Sequence, residues 1–140
     1  MKKILIFPLL LSSSLLWAGD WPSWLGPEGT GVSTESGWKN NLEEQAWKAK
    51  VGVGFSTVSV AGGRAYTMGH DGRKSGGKET VYCLEAKTGK TVWTHSYPAP
   101  LIDYLHEGGP CSTPTVDGST VYAPVSYTHL RAHETLRYLV

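Results

Sequence analysis

The chain has 140 residues, with 13 lysines and arginines against 12 aspartates and glutamates and a formal net charge of +1. A chain so close to neutrality has no basic surface field to hold nucleic acid, and we expect no nucleic-acid partner. Its 6 tryptophans and 7 tyrosines favour a β-rich fold, in which aromatic side chains pack well on pleated surfaces.

Residues 1–18 predict a secretory signal peptide. Lys2 and Lys3 form its basic start, residues 4–16 are mostly apolar, and Ala18 offers a cleavage site. The apolar run is too short and too rich in serine for a spanning helix, so we expect no transmembrane segment once the signal is removed. The protein is therefore predicted to be exported, to the periplasm or to the extracellular space.

Residues 19–45 predict an irregular lead-in. Glycine and proline recur between Trp21 and Ser33, a composition that excludes a regular helix there. We expect Trp21 and Trp24 to pin this segment to the side of the folded domain, because each indole buries a large area. The alternative is an aromatic platform for a ligand.

The next part of the chain predicts short antiparallel strands joined by glycine turns. The candidate strands are residues 46–51, 55–60, 64–68, 81–84 and 91–93. Gly62 and Gly63 suit a tight hairpin turn, and Gly89 supplies the positive φ that a second reversal needs. The loop 70–78 has the spacing of a phosphate-binding loop, but Glu79 stands where that motif needs a hydroxyl, so we interpret it as a solvated loop.

An internal repeat indicates a repeat architecture. Ser56, Thr57, Val60, Gly62 and Tyr66 recur, each 56 positions later, as Ser112, Thr113, Val116, Gly118 and Tyr122. A fixed period of this kind is typical of stacked structural units. The second unit is expected to begin at Cys111.

Ala86, Thr88, Gly89 and Trp93 form the pattern Ala-x-Thr-Gly-x-x-x-Trp. This pattern resembles the signature of the pyrroloquinoline-quinone-like (PQQ-like) β-propeller repeat, with Glu85 in place of the usual Asp. The resemblance implies an all-β fold of four-stranded antiparallel blades, in which the turn residues seal a blade and the tryptophan packs against a neighbouring blade. The expected organisation is a first blade at residues 46–97, an inter-blade loop at 98–110 and the start of a second blade at 111–123.

Residues 124–140 predict a non-native tail. Their composition departs from everything before them, and residues 125–135 resemble the translation of a sequencing adapter. The alternative is a genuine C-terminal helix. We expect the genuine chain to be cut in mid-strand near Ala123, and one blade with a stub to be unable to fold cooperatively alone. The metal-like spacing of His129, His133 and Glu134 lies in this tail and carries no weight.

The long loop 98–110 is where a binding site is most expected, because long loops on a rigid scaffold often carry function. Asp103, His106 and Glu107 are the candidates, as ligands of a divalent cation or as an acid–base pair. His70, Asp71 and His95 would approach them if the loops share one face. The alternative is an ordinary solvated loop, and we assign no catalytic residue and no metal site.

Cys83 and Cys111 both lie in apolar strand contexts. Export would allow a disulfide to persist, but sequence alone does not place the two within bridging distance. We predict two unbonded cysteines in the core.

The leading functional hypothesis is a binding or scaffold module of the cell envelope, with an envelope protein or a small ligand as its partner. The resemblance also implies an alternative, a periplasmic quinoprotein dehydrogenase that would hold PQQ and calcium in a central channel. No residue of the chain points to that cofactor, so PQQ rests on the resemblance alone. A carbohydrate-handling propeller also stays open, because the lead-in is rich in tryptophan.

Overall fold

The computed structural model describes residues 19–37, 45–104, 106–125 and 135–137. Within these ranges the chain contains strands and turns and no helix, which confirms the predicted all-β class. In the same ranges there is accordingly no helix of the length and apolarity that crossing a membrane requires. The predicted signal peptide, most of the predicted tail, and His129, His133 and Glu134 lie outside the described residues.

The described strands form two antiparallel sheets. The strands are β1 Ser59–Ala61, β2 Arg64–His70, β3 Lys78–Glu85, β4 Thr91–Pro98, β5 Thr115–Asp117, β6 Thr120–Tyr122 and β7 Thr135–Arg137. The first sheet has the order β1-β2-β3-β4, and the second has the order β5-β6-β7. Every neighbouring pair is antiparallel, so each sheet is a simple meander.

Glycines set the turns between these strands. Gly62 and Gly63 have φ of 56° and 72° and join β1 to β2 across the pair Ala61 and Arg64. Two successive positive φ angles define the tight hairpin turn whose twist matches antiparallel strands. Gly89, with φ of 69°, closes the turn between β3 and β4. Both predicted hairpins are confirmed.

The strands β2, β3 and β4 are longer than the sequence predicts, whereas β1, at Ser59–Ala61, is shorter than the predicted strand 55–60. The β2–β3 ladder continues to the pair His70 and Glu79, and the β3–β4 ladder to the pair Lys78 and Pro98. The predicted strands ended earlier because these added positions are polar or glycine. Backbone hydrogen bonds continue the ladder regardless of side-chain polarity.

The prediction of a strand at residues 46–51 is wrong, because this segment joins no sheet among the described residues. It is extended, and its side chains alternate between half-buried and exposed, as the sequence pattern indicates. Just beyond it, Val53 forms an isolated bridge with His70, with hydrogen bonds of 2.7 and 2.9 Å. The chain that follows residues 46–51 therefore pairs with the end of β2 through the single bridge between Val53 and His70.

Equivalent positions of the two repeats meet where the sheets come together. The hydroxyls of Thr57 and Thr113, which are 56 residues apart, lie 2.6 Å from each other. Ser59 donates a 2.7 Å hydrogen bond to the carbonyl of Pro114. These contacts place β1, the first strand of one sheet, beside β5, the first strand of the other.

The core lies between the two sheets. Met68 and Val81 of the first sheet are almost fully buried, and Ala123, just after β6, packs on them. Trp93 and Tyr97 from β4 cover the same cluster while staying half-buried. The segment that follows β6 therefore packs on one face of the first sheet.

The lead-in is hydrogen-bonded to both repeats. Trp21 and Val60 exchange backbone hydrogen bonds of 2.7 and 2.8 Å, and Val116 donates a 2.8 Å bond to the carbonyl of Pro22. Val60 and Val116 are equivalent residues of the repeat. Trp21 therefore pins the lead-in as predicted, whereas Trp24 is 66% exposed and does not.

Candidate functional site

A row of polar side chains crosses the covered face of the first sheet. His70, Glu79 and Tyr97 lie directly opposite one another on β2, β3 and β4. Residues paired in this way project from the same face of a sheet. Glu79 is only 1% exposed, and its Oε2 accepts a 2.6 Å hydrogen bond from the Tyr97 hydroxyl.

Tyr97 stays protonated because of this environment. Burial of its hydroxyl raises the pKa of Tyr97 above its usual value, and the hydrogen bond to the Glu79 carboxylate raises it further. The phenol is therefore a permanent donor to Glu79 at physiological pH.

His70 holds two loops in place. Its Nδ1 accepts a 3.0 Å hydrogen bond from the backbone N–H of Gly72, so Nε2 carries the proton and donates to the carbonyl of Ala99 at 2.9 Å. Asp71 Oδ1 lies 3.6 Å from Nδ1. The backbone N–H of Arg73 lowers the pKa of Asp71 and keeps it ionised. The buried imidazole thus joins loop 71–77 to the start of loop 98–110.

A cavity of about 360 Å³ opens beside Glu79, between the first sheet, the inter-repeat loop and the second repeat. We call it the Glu79 cavity. Its lining combines polar groups with apolar walls: Glu79, Pro100, Ile102, His106, Gly109, Cys111, Ser112, Pro124 and Val125. It is therefore a mixed polar and apolar recess at the junction of the two repeats.

The predicted loop residues lie next to this cavity, and only one of them lines it. His106 is in the lining, where its ring meets the edge of Phe55 at 5.0 Å and its Nδ1 accepts from the N–H of Gly108 at 3.0 Å. Glu107 and Asp103 line a separate, open depression with Tyr104 and His106.

Asp103 forms an ion pair with Lys74 at 2.6 Å. The hydrogen bond from the lysine lowers the pKa of Asp103. The two long loops therefore meet through Lys74 with Asp103 and through His70 with Ala99, whereas no described contact joins His70 or Asp71 to Asp103, His106 or Glu107. His95 lies instead on β4, where its ring is 6.4 Å from that of Tyr97. Within the described residues no three His, Cys, Asp or Glu side chains are grouped to hold a metal ion.

The predicted blade motif forms a docking point for an aromatic ring. Gly89 carries no side chain where the Trp47 indole lies, and Trp47 Nε1 donates a 2.9 Å hydrogen bond to the carbonyl of Ala86. The hydroxyl of Thr88 donates to Glu85, so this glutamate serves as the acceptor of the turn. Trp93 packs instead toward Tyr66, with ring centres 6.1 Å apart, and on the core.

Both cysteines are free, which confirms that part of the prediction. Cys83 is buried, and burial raises the pKa of its thiol. Cys111, however, is exposed and does not belong to the core. It lies before the strand β5, outside both sheets.

Comparisons of the chain with models of protein families, with curated proteins and with solved structures found no match. The site is therefore interpreted from its own geometry.

Sequence reasoning missed Glu79 and Tyr97 as site residues. One signal was present, because Glu79 is in phase with Val81 and Cys83 along β3, and alternate residues share one face. A carboxylate in phase with buried apolar residues indicates a buried charge. Tyr97 is its cross-strand partner, a relation that only the register of the hairpin reveals.

Proposed function

We propose that the chain forms blades of an exported β-propeller of the PQQ-like repeat kind, and that this propeller acts as a binding or scaffold module of the cell envelope. The observation that carries the proposal is the contact between equivalent residues of the two repeats. Thr57 meets Thr113, and β1 lies beside β5. Blades arranged around a common axis bring their first strands together in this way.

The docking of Trp47 on the Ala86–Gly89 turn also supports a propeller. An aromatic side chain from outside the four-stranded sheet seals the turn between its last two strands. Both partners lie within the predicted first blade, residues 46–97, where the resemblance gives the turn residues the role of sealing the blade.

Binding is favoured over catalysis because three polar side chains that adjoin the cavity, but do not line it, already serve structural roles. His70 is engaged at both ring nitrogens, Tyr97 donates to Glu79, and Asp103 pairs with Lys74. A general acid or base must instead present a free nitrogen or oxygen to a substrate. The remaining groups of the cavity are suited to holding a ligand.

Cell fractionation and cross-linking of the tagged full-length protein test this function. We expect an envelope location, an N-terminus processed after Ala18, and discrete cross-linked adducts with an envelope protein. A cytoplasmic, unprocessed protein would refute export. Reconstitution with PQQ and Ca²⁺ tests the alternative, since cofactor-dependent dye reduction with alcohols or sugars would identify a quinoprotein dehydrogenase and overturn the scaffold proposal.

A further inference from the structure

We propose that the Glu79 cavity binds a small organic ammonium ion, with the Glu79 carboxylate as its counter-ion. This inference deepens the proposed binding function by naming the chemical class of the ligand. The groups that carry it, Glu79, Cys111 and Ser112, all precede the predicted tail, although Pro124 and Val125 complete the wall.

The first argument is a buried carboxyl group with no cation beside it. Glu79 is 1% exposed, and its one hydrogen-bond partner among the described residues is the neutral hydroxyl of Tyr97, on Oε2. Burying a carboxylate is costly unless an opposite charge and hydrogen-bond donors compensate it. A ligand that brings a positive charge and N–H donors would supply both.

The described residues around the cavity supply no such charge. Neither lysine nor arginine lines it. Lys78 precedes Glu79 on β3, so its side chain leaves from the opposite face of the sheet, and Lys74 is paired with Asp103.

The two histidines near Glu79 direct Nδ1 at the backbone of their own loops. His70 and His106 each accept a backbone N–H there, from Gly72 and Gly108. Nε2 of His70 is also engaged, with the carbonyl of Ala99.

Size and lining define the rest of the ligand. A volume of about 360 Å³ is at the lower end of the range for small-molecule sites. Pro100 and Ile102 offer apolar contact for a short carbon chain, and Ser112 adds a hydroxyl oxygen to the lining. An anionic ligand would meet Glu79 with no cation between them, so the site selects against anions.

Protection of Cys111 from a thiol reagent measures occupancy directly. Cys111 lines the cavity and is exposed, whereas Cys83 is buried and serves as an internal reference. The full-length protein is treated with methyl methanethiosulfonate, and modification of each cysteine is followed by peptide mass spectrometry. We expect n-butylammonium to slow the modification of Cys111 saturably, and 1-butanol or sodium chloride at equal concentration to leave it unchanged.

Two variants assign the effect to the carboxylate. Glu79→Gln keeps the shape and an oxygen for Tyr97, and it should raise the n-butylammonium concentration for half-protection at least tenfold. Glu28→Gln is the same change at an exposed glutamate of the lead-in, outside the cavity lining, and should change nothing. If Glu79→Gln fails to fold by circular dichroism, Tyr97→Phe replaces it, because that variant frees Glu79 and should protect Cys111 at the same or lower concentration.

Three results would overturn the inference: equal protection by 1-butanol, unchanged protection in Glu79→Gln, or no saturable protection at all. Each of them would leave export and envelope cross-linking as they are. Failure of the ammonium site is therefore distinguishable from failure of the proposed function.

Discussion

Replacing Gly89 with alanine tests the docking of Trp47 on the turn between β3 and β4. A Cβ at this position would lie 2.3 Å from Cε3 and 2.6 Å from Cδ2 of the Trp47 indole. A ring cannot yield as the end of a flexible chain does, so the indole must withdraw. Its 2.9 Å hydrogen bond to the carbonyl of Ala86 would then be lost.

The expected cost has two separable parts. Alanine at a φ of 69° costs about 1–2 kcal/mol in backbone energy alone. Overpacking against the indole adds about 1–3 kcal/mol, and the broken hydrogen bond adds about 1 kcal/mol. We therefore expect Gly89→Ala to lower the free energy of unfolding by about 3–6 kcal/mol.

Gly63→Ala is the matched control. Gly63 has nearly the same φ, 72°, but nothing lies within 4 Å of its would-be Cβ. It should cost only the backbone part, about 1–2 kcal/mol. Urea denaturation of the full-length protein, followed by circular dichroism, measures both variants.

A double-mutant cycle isolates the ring contact. In a Trp47→Ala background, Gly89→Ala should cost no more than Gly63→Ala, because the clash has been removed. Equal costs of Gly89→Ala and Gly63→Ala in the wild-type background would refute the docking of Trp47.

Three further predictions concern the junction and the core. Thr113→Val should lower the free energy of unfolding, measured in urea, by about 0.5–1 kcal/mol, because it breaks the exposed hydroxyl pair with Thr57. Adding Thr57→Val should lower it little further. A double variant whose loss equals the sum of the two single losses would contradict the pairing. Trp93→Ala should cost about 3–5 kcal/mol, since the indole covers the core, and a loss below about 0.5 kcal/mol would place it on the surface. Burial, aided by Cys83, raises the pKa of Tyr66 to about 12. The raised pKa of Tyr66 contributes about 1 kcal/mol to the free energy of unfolding, after screening at a half-buried site. This stabilisation is complete below pH 10 and is lost as the pH rises toward 12. Tyr66→Phe should flatten the stability profile between pH 10 and 12, and an unchanged slope would refute this assignment.

The hairpins could be predicted because a single residue type decides them. Gly62, Gly63 and Gly89 all adopt the positive φ that the sequence pattern required of them. The repeat likewise predicted equivalent turns, and Gly118 has a φ of 55° against 56° for Gly62. A turn can be predicted from sequence where its backbone needs a positive φ that glycine adopts far more readily than other residues.

Strand length was harder to predict because it depends on contacts distant in sequence. Gly69 reads as the end of a strand, yet it lies inside β2. The backbone oxygen of Val51 lies 1.8 Å from where a Cβ of Gly69 would be. Glycine is therefore required by a close backbone approach and not by a turn. The sequence offers no sign of which distant segment makes that approach.

The candidate site was only partly predictable for the same reason. The loop residues Asp103, His106 and Glu107 attracted attention because they are polar and lie in a long loop. The buried carboxylate of Glu79 lies in a strand, and its importance depends on the second repeat, which closes the cavity over it. Burial of a charge arises from packing between sheets, which strand periodicity does not describe.

One hydrogen bond occurs at equivalent positions of the two repeats but runs in opposite directions. Ser56 Oγ accepts a hydrogen bond from the N–H of Met68 at 3.2 Å. Ser112 Oγ, 56 positions later, meets the equivalent residue Pro124 but donates to its carbonyl at 2.8 Å. Proline has no N–H, so the hydroxyl must reverse its role from acceptor to donor. The repeat therefore predicts which two positions are in contact. The direction of the hydrogen bond depends on Pro124, the first residue of the predicted tail.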